Sequence, residues 1–167
     1  MLTAEEIIEQ LRLRPHPIEG GYFVETYRSS LTLPASALPA AYSGDRFAAT
    51  AIFYMLTPGT FSALHRLPGD EMFHFYLGDP VETFLLREDG SSNLVTLGHD
   101  LASGMLLQHN VPGGVWQGSR LLPGGAFALL GTTMSPGFDY ADYESGSRGS
   151  LVARFPQHRD RILSLTR

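Results

Sequence analysis

The sequence predicts an all-β sandwich or barrel, and three observations carry that prediction. From Ala48 onward, short runs rich in β-branched and aromatic residues alternate with turns. The 18 glycines and 11 prolines match the number of tight turns such a fold needs. Helical periodicity is confined to the two ends of the chain.

The elements follow in order. Thr3-Ala4-Glu5-Glu6 is a capping box, and Ile7, Ile8 and Leu11 mark one helical face, so a helix is expected over residues 4–12, ending before Pro15. After Gly20-Gly21, the run from Tyr22 to Arg28 reads as a strand. Residues 29–47 show little periodicity and read as a long loop, functional or mobile. Thr50 to Leu56 is an apolar run suited to a strand buried on both faces. Val81–Arg87 and Asn93–Leu97 flank Glu88-Asp89-Gly90 as a hairpin. Short strands follow at 105–109, from Val115 and at 126–133, and a short helix is expected over 156–165, with Pro156 in its first turn.

Composition narrows the function. A chain of 167 residues is read as one domain over 1–167, and 43% hydrophobic against 17% charged residues is a globular balance. The net charge of -5 comes with no basic stripe, which argues against nucleic acid as a partner; all 12 cations are arginine. The absence of cysteine removes disulfides, thiolate zinc sites and cysteine nucleophiles. No signal-peptide core opens the chain, and no apolar run approaches the roughly 20 residues that span a bilayer. The expectation is a cytoplasmic protein without a membrane partner.

The chemistry concentrates in residues 59–78. Strand alternation places His65 and Leu67 on one face, and Glu71, Phe73, Phe75 and Leu77 on one face. If Pro68-Gly69-Asp70 folds one strand back on the other, His65 and Glu71 meet on the apolar side, where each needs a partner or a ligand. His74 and Tyr76 take the opposite parity, so His74 is expected outside the barrel or at a dimer contact. Trp116 is expected in an outer layer, and His16, His99, His109 and His158 in solvent.

Gly59, His65, Leu67, Glu71 and Gly78 stand at the spacing Gly-x5-His-x-Leu-x3-Glu-x6-Gly, which resembles the first cupin motif. Pro112 to Gln117 is similar to the second. Glu19–Arg28, Phe61–Pro80, Val111–Gln117 and Ser135–Glu144 together resemble an uncharacterised cupin-like family described as predicted sugar epimerases. The resemblance implies a small jelly-roll barrel with a pocket in its mouth, and a homodimer. It departs from metal-binding cupins at two ligand positions, where this chain has Leu67 and Gln117. A metal would have to use His65, Glu71 and Gln117; two strong ligands rarely make a tight site, so no cofactor is favoured, although a divalent metal remains an alternative.

The epimerases to which this family is likened use a histidine base and a tyrosine acid. That implies His65 as base, with Glu71 or Asp139 fixing its tautomer, and Tyr140 ahead of Tyr76 as acid. The expected pocket is lined by His65, Glu71, Phe73, Phe75 and Gln117, with Glu25 and Asp139 at its rim. Glu25 and Arg28 also read as an ordinary surface pair. The leading function is a small-molecule enzyme, a metal-independent carbohydrate or nucleotide-sugar epimerase or isomerase. The alternatives are a non-catalytic small-ligand binder, a structural His65–Glu71 pair, and a metal-dependent cupin enzyme. Scattered Arg28, Arg46, Arg66 and Arg120 are the only candidates for reading a phosphate.

Overall fold

The computed structural model describes residues 2–167. Its helices are α1 (Ala4–Leu11), α2 (Arg148–Arg154) and α3 (Arg159–Ser164). The strands are β1 (Arg14–Pro15), β2 (Tyr22–Arg28), β3 (Thr32–Leu33), β4 (Arg46–Phe47), β5 (Thr50–Leu56), β6 (Ser62–Arg66) and β7 (Glu71–Gly78), followed by β8 (Val81–Leu86), β9 (Ser92–Leu97), β10 (Gln108–Val111), β11 (Trp116–Leu121), β12 (Ala128–Met134) and β13 (Glu144–Ser145). One sheet runs β1-β2-β5-β12-β7-β10, the other β13-β6-β11-β8-β9; the described strand pairings are antiparallel.

Alternating side chains explain why the two sheets face each other. Inward residues Tyr54, Leu56, Phe73, Phe75 and Leu130 of the first sheet pack against Val81, Leu85, Val95 and Leu121 of the second. The outer faces are covered separately. Ile7 and Leu13, on and just after α1, pack on Met55, Phe127 and Leu129. Leu151, Phe155, Ile162 and Leu165 of the C-terminal helices cover Leu64, Phe84, Leu86 and Trp116. Trp116 is thus in an outer layer, yet sealed beneath helices.

The capping box forms as expected: Thr3 Oγ1 accepts from Glu6 N at 3.2 Å and Glu6 Oε2 from Thr3 N at 2.8 Å. The 81–97 hairpin also forms. Other expectations need correction. Residues 29–47 are not one featureless loop, since β3 and β4 pair with each other and a 3-10 turn spans Ala35–Ala37. Helix α2, with only Leu151 fully buried, carries too short an apolar pattern to be read in advance.

The largest correction concerns β6 and β7, which do not pair as a hairpin. β6 pairs with β11 and β13, whereas β7 pairs with β10 and β12 in the other sheet. The turn at 67–70 therefore crosses between sheets, and His65 and Glu71 approach the cavity from opposite walls. That turn is braced by the 111–114 turn: Asp70 Oδ1 accepts from Gly113 N at 2.9 Å, and Leu67 O from Gly114 N at 2.7 Å. Among the described residues no helix is long and apolar enough to cross a membrane.

Candidate functional site

A cavity of about 150 Å³ lies at one end of the sandwich. Phe23, Ile52, Leu67, Met134 and Phe138 supply its apolar wall; His16, Glu19, His65, Glu71 and Tyr143 supply its polar one; Glu25, Arg28, Asp139 and Tyr140 stand at the mouth.

His65 is only 2% exposed on β6. Its Nδ1 lies 2.8 Å from the Ala63 carbonyl, which can only accept, so Nδ1 carries the hydrogen. In the neutral ring Nε2 then holds a free lone pair, 4.0 Å from Glu19 Oε2. The Ala63 backbone carbonyl fixes this tautomer, in place of the Glu71 or Asp139 that the sequence reading assigns to that role. The ring stacks on Tyr143, with centroids 4.9 Å apart and planes 16° apart.

His16 is held the opposite way. Its Nδ1 accepts the backbone N–H of Glu19 at 2.9 Å and, more weakly, that of Ile18 at 3.4 Å, so the ring hydrogen sits on Nε2. Burial lowers the His16 pKa, Glu19 pulls it back up, and His65 lowers it further. His16 is not a solvated loop residue: its ring packs 4.7 Å from Phe23 and 6.2 Å from Tyr140.

Glu19 is positioned by the glycines after it. Gly20 and Gly21 have φ of +103° and +68°, and a Cβ at Gly20 would stand 2.4 Å from the Phe61 carbonyl. The reversal aims Glu19 inward, where Oε1 accepts from Ser62 Oγ at 2.5 Å. Glu71, 8% exposed, accepts from Gln117 Nε2 at 2.8 Å. Burial raises the Glu71 pKa; His65 pulls it down, Glu19 pushes it up, and hydrogen bonds from Thr132 and Gln117 lower it.

The segment 139–144 covers one side. Burial, then Glu19 and Glu71, push the Tyr143 phenol far above its ordinary range, so it stays protonated. Tyr140, 47% exposed, is raised by burial, Glu19 and Glu25. Asp139 turns one oxygen back to Ala141 N at 2.8 Å. A shielded ion pair anchors the segment: Arg46 Nε donates to Asp142 Oδ2 at 2.7 Å and Nη2 to Oδ1 at 2.5 Å.

The cavity thus gathers His65, Glu71, Tyr140, Glu25 and Asp139 from the sequence reading. It does not gather Phe73 and Phe75, which point deeper, into the core between the sheets. Gln117 is not on the wall either; it stands behind Glu71 and holds its carboxylate. His74 lies away from the cavity, bonded to Thr133 and Gln108. His158 is not free in solvent but meets the Gly90 carbonyl at 2.9 Å, and His109 is half-buried. Sequence reasoning passed over His16, Glu19 and Tyr143. The one available signal was the Gly20-Gly21 pair, which marks a forced backbone reversal directly after Glu19.

Of the arginines considered for phosphate, Arg46 is committed to Asp142, Arg66 to Glu144 and Glu88, and Arg120 to the Ser164 carbonyl. Only Arg28 lines the cavity.

Residues 5–146 match a family model described as cupin superfamily (DUF985). An uncharacterized protein of Saccharomyces cerevisiae, YML079W, is 31% identical over 149 residues, which is 84% of this chain and 74% of that protein. Among solved structures, protein SO0799 of Shewanella oneidensis aligns over 100% of this chain and 99% of its own, with TM-score 0.90 and 34% identity. A hypothetical protein from Leishmania major aligns over 99% of each chain, with TM-score 0.90 and 33% identity. Bacillus subtilis oxalate decarboxylase aligns over 92% of this chain and 37% of its own at TM-score 0.54 and 17% identity, a likeness of fold alone.

That decarboxylase carries Mn(II) centres. Of the motif's ligand positions this chain keeps His65 and Glu71. Leu67 and Gln117 occupy two ligand positions of the motif, and the Gln117 amide is turned onto Glu71. Among the described residues no three His, Cys, Asp or Glu side chains come together as a metal-holding group.

Proposed function

The chain belongs to the cupin superfamily family DUF985, and on that footing we propose that its cavity is the active site of a cofactor-free epimerase or isomerase. The substrate is a small polyhydroxy aldehyde or ketone. One observation carries the reading: the backbone locks His65 and His16 in opposite tautomers, so one cavity is lined by an imidazole with a lone pair on Nε2 and an imidazole with its hydrogen on Nε2.

The chemistry follows from those atoms. His65 Nε2 takes the proton from the carbon beside the carbonyl, and the C–H electron pair moves into the carbonyl to give an enolate. His16 Nε2–H hydrogen-bonds the oxygen as charge develops there; a neutral imidazole, favoured by the burial that lowers its pKa, suits that task. Tyr140, its phenol kept protonated, returns a proton to the same carbon from the other side, which inverts the centre. Solvent then restores both residues. Phe23, Ile52, Leu67 and Phe138 keep water from the enolate.

The test is deuterium wash-in. Aldoses and ketoses are incubated with the protein in D2O and read by proton NMR for loss of the signal next to the carbonyl. The wild type exchanges that proton, and His65→Ala loses the exchange by about 100-fold or more, with folding checked by circular dichroism. Undiminished exchange in His65→Ala ends the proposal. Binding of a sugar without exchange identifies a ligand-binding protein instead.

A further inference from the structure

The charge in the cavity is one-sided. Glu19, Glu25, Glu71 and Asp139 line it against a single guanidinium, Arg28. Arg28 gives Nε to Glu25 Oε1 at 2.9 Å and Nη2 to Glu25 Oε2 at 2.5 Å, so that pair cancels itself. Arg167 is not on the cavity lining and gives its donors to the backbone carbonyls of Ile18 and Glu19.

Glu19 is the least compensated. Its Oε1 takes the Ser62 hydroxyl and the Tyr54 phenol lies beside the carboxylate, while Oε2 meets the His65 Nε2 at 4.0 Å, beyond hydrogen-bond reach. That Nε2 belongs to a side chain 98% buried and has no hydrogen-bond partner among the described residues, yet it opens on the same cavity. A lone pair and a carboxylate oxygen side by side, both lacking a donor, require a ligand that brings hydrogen and positive charge. The aromatic side chains Phe23, Phe138 and Tyr140 line the same cavity, where a ring face can attract a cation.

Taking the cavity as the proton-transfer site described above, on which this step depends, we propose that it takes an amino carbonyl compound: a polyhydroxy aldehyde or ketone bearing a protonated primary amine. The ammonium sits on Glu19 Oε2 and the reactive C–H on His65 Nε2. A spacing of 4.0 Å between those atoms suits groups on the same carbon or on neighbouring ones. The same field opposes phosphate, so a nucleoside diphosphate sugar is excluded.

Isothermal titration with four sugars tests this: glucosamine, N-acetylglucosamine, glucose and glucose 6-phosphate. Glucosamine binds at least tenfold more tightly than glucose or its N-acetyl derivative, and glucose 6-phosphate binds least. In Glu19→Gln, which keeps a group able to accept from Ser62, the preference for glucosamine over glucose collapses. A stronger glucose 6-phosphate complex overturns the proposal, and so does a preference that survives Glu19→Gln. Failure of glucosamine to bind at about 10 mM, whatever the other three do, also overturns it. The two claims separate cleanly. Amine preference without deuterium exchange leaves the ligand class standing and removes the reaction; exchange without amine preference does the reverse.

Discussion

Replacing Asp142 with asparagine strikes the anchor of the segment that carries Tyr140 and Tyr143. The Arg46 and Asp142 side chains are each 5% exposed, and two hydrogen bonds at 2.7 and 2.5 Å join them. A third donor of Arg46 reaches the Asp45 carbonyl at 2.8 Å. Asparagine removes the charge and keeps one acceptor oxygen, so the enclosed guanidinium is left with one side-chain bond in place of two, beside its backbone partner. Breaking a buried pair from one side costs about 3–5 kcal/mol. The acceptor that asparagine keeps points to the lower end, about 3 kcal/mol. For a chain of this size that is a fall of about 6–12 °C in Tm. Urea unfolding followed by circular dichroism gives the free energy, and calorimetry gives Tm. The double variant Arg46→Met, Asp142→Leu costs less than Asp142→Asn, because no charge is stranded. A loss below about 1 kcal/mol in Asp142→Asn would mean the pair is open to water and does not hold the segment.

Two further perturbations probe the polar wall. Glu71 has a folded-state pKa above the ordinary 4.5, so folding favours its neutral form. That contribution is complete below the unfolded pKa and is lost as pH rises through the folded one. Glu71→Gln is therefore more stable than wild type at pH 7, by about 1–2 kcal/mol, and shows no advantage at pH 4; equal stability at both values contradicts the burial argument. Gly20→Ala meets both a φ of +103° and the Phe61 carbonyl at 2.4 Å, and loses at least about 2 kcal/mol in urea unfolding. A neutral Gly20→Ala would show that the reversal before β2 is not constrained.

Much of the fold was legible because its signals are local. The capping box at Thr3, the turn at Glu88-Asp89-Gly90 and the alternation of Glu71, Phe73 and Phe75 each act within a few residues. What the sequence concealed is long-range. Alternation puts Glu71, Phe73 and Phe75 on one face but cannot say how deep each lies, and only Glu71, at the strand's start, reaches the cavity. Tight turns usually join hairpin partners, yet the one at Pro68-Gly69-Asp70 passes between sheets, because the 111–114 turn braces it there. Gln117 aligned with a ligand position and became the support of Glu71. His16 and Glu19 sit in a short non-periodic stretch between Pro15 and Gly20, where no spacing announces a side chain's direction. Tyr143 is brought to His65 by the β13 pairing with β6 and by the ion pair of Asp142 with a residue 96 positions away.

The opposed tautomers of the two histidines can be read without knowing the substrate. Long-range proton–nitrogen correlation spectra of 15N-histidine-labelled protein, assigned with His16→Gln and His65→Gln, report which ring nitrogen carries hydrogen in each neutral ring. The account predicts Nδ1–H for His65, held by the Ala63 carbonyl, and Nε2–H for His16, held by the Glu19 backbone N–H. A His65 ring found with its hydrogen on Nε2 would have no lone pair to offer the cavity, and the proposed base would be gone.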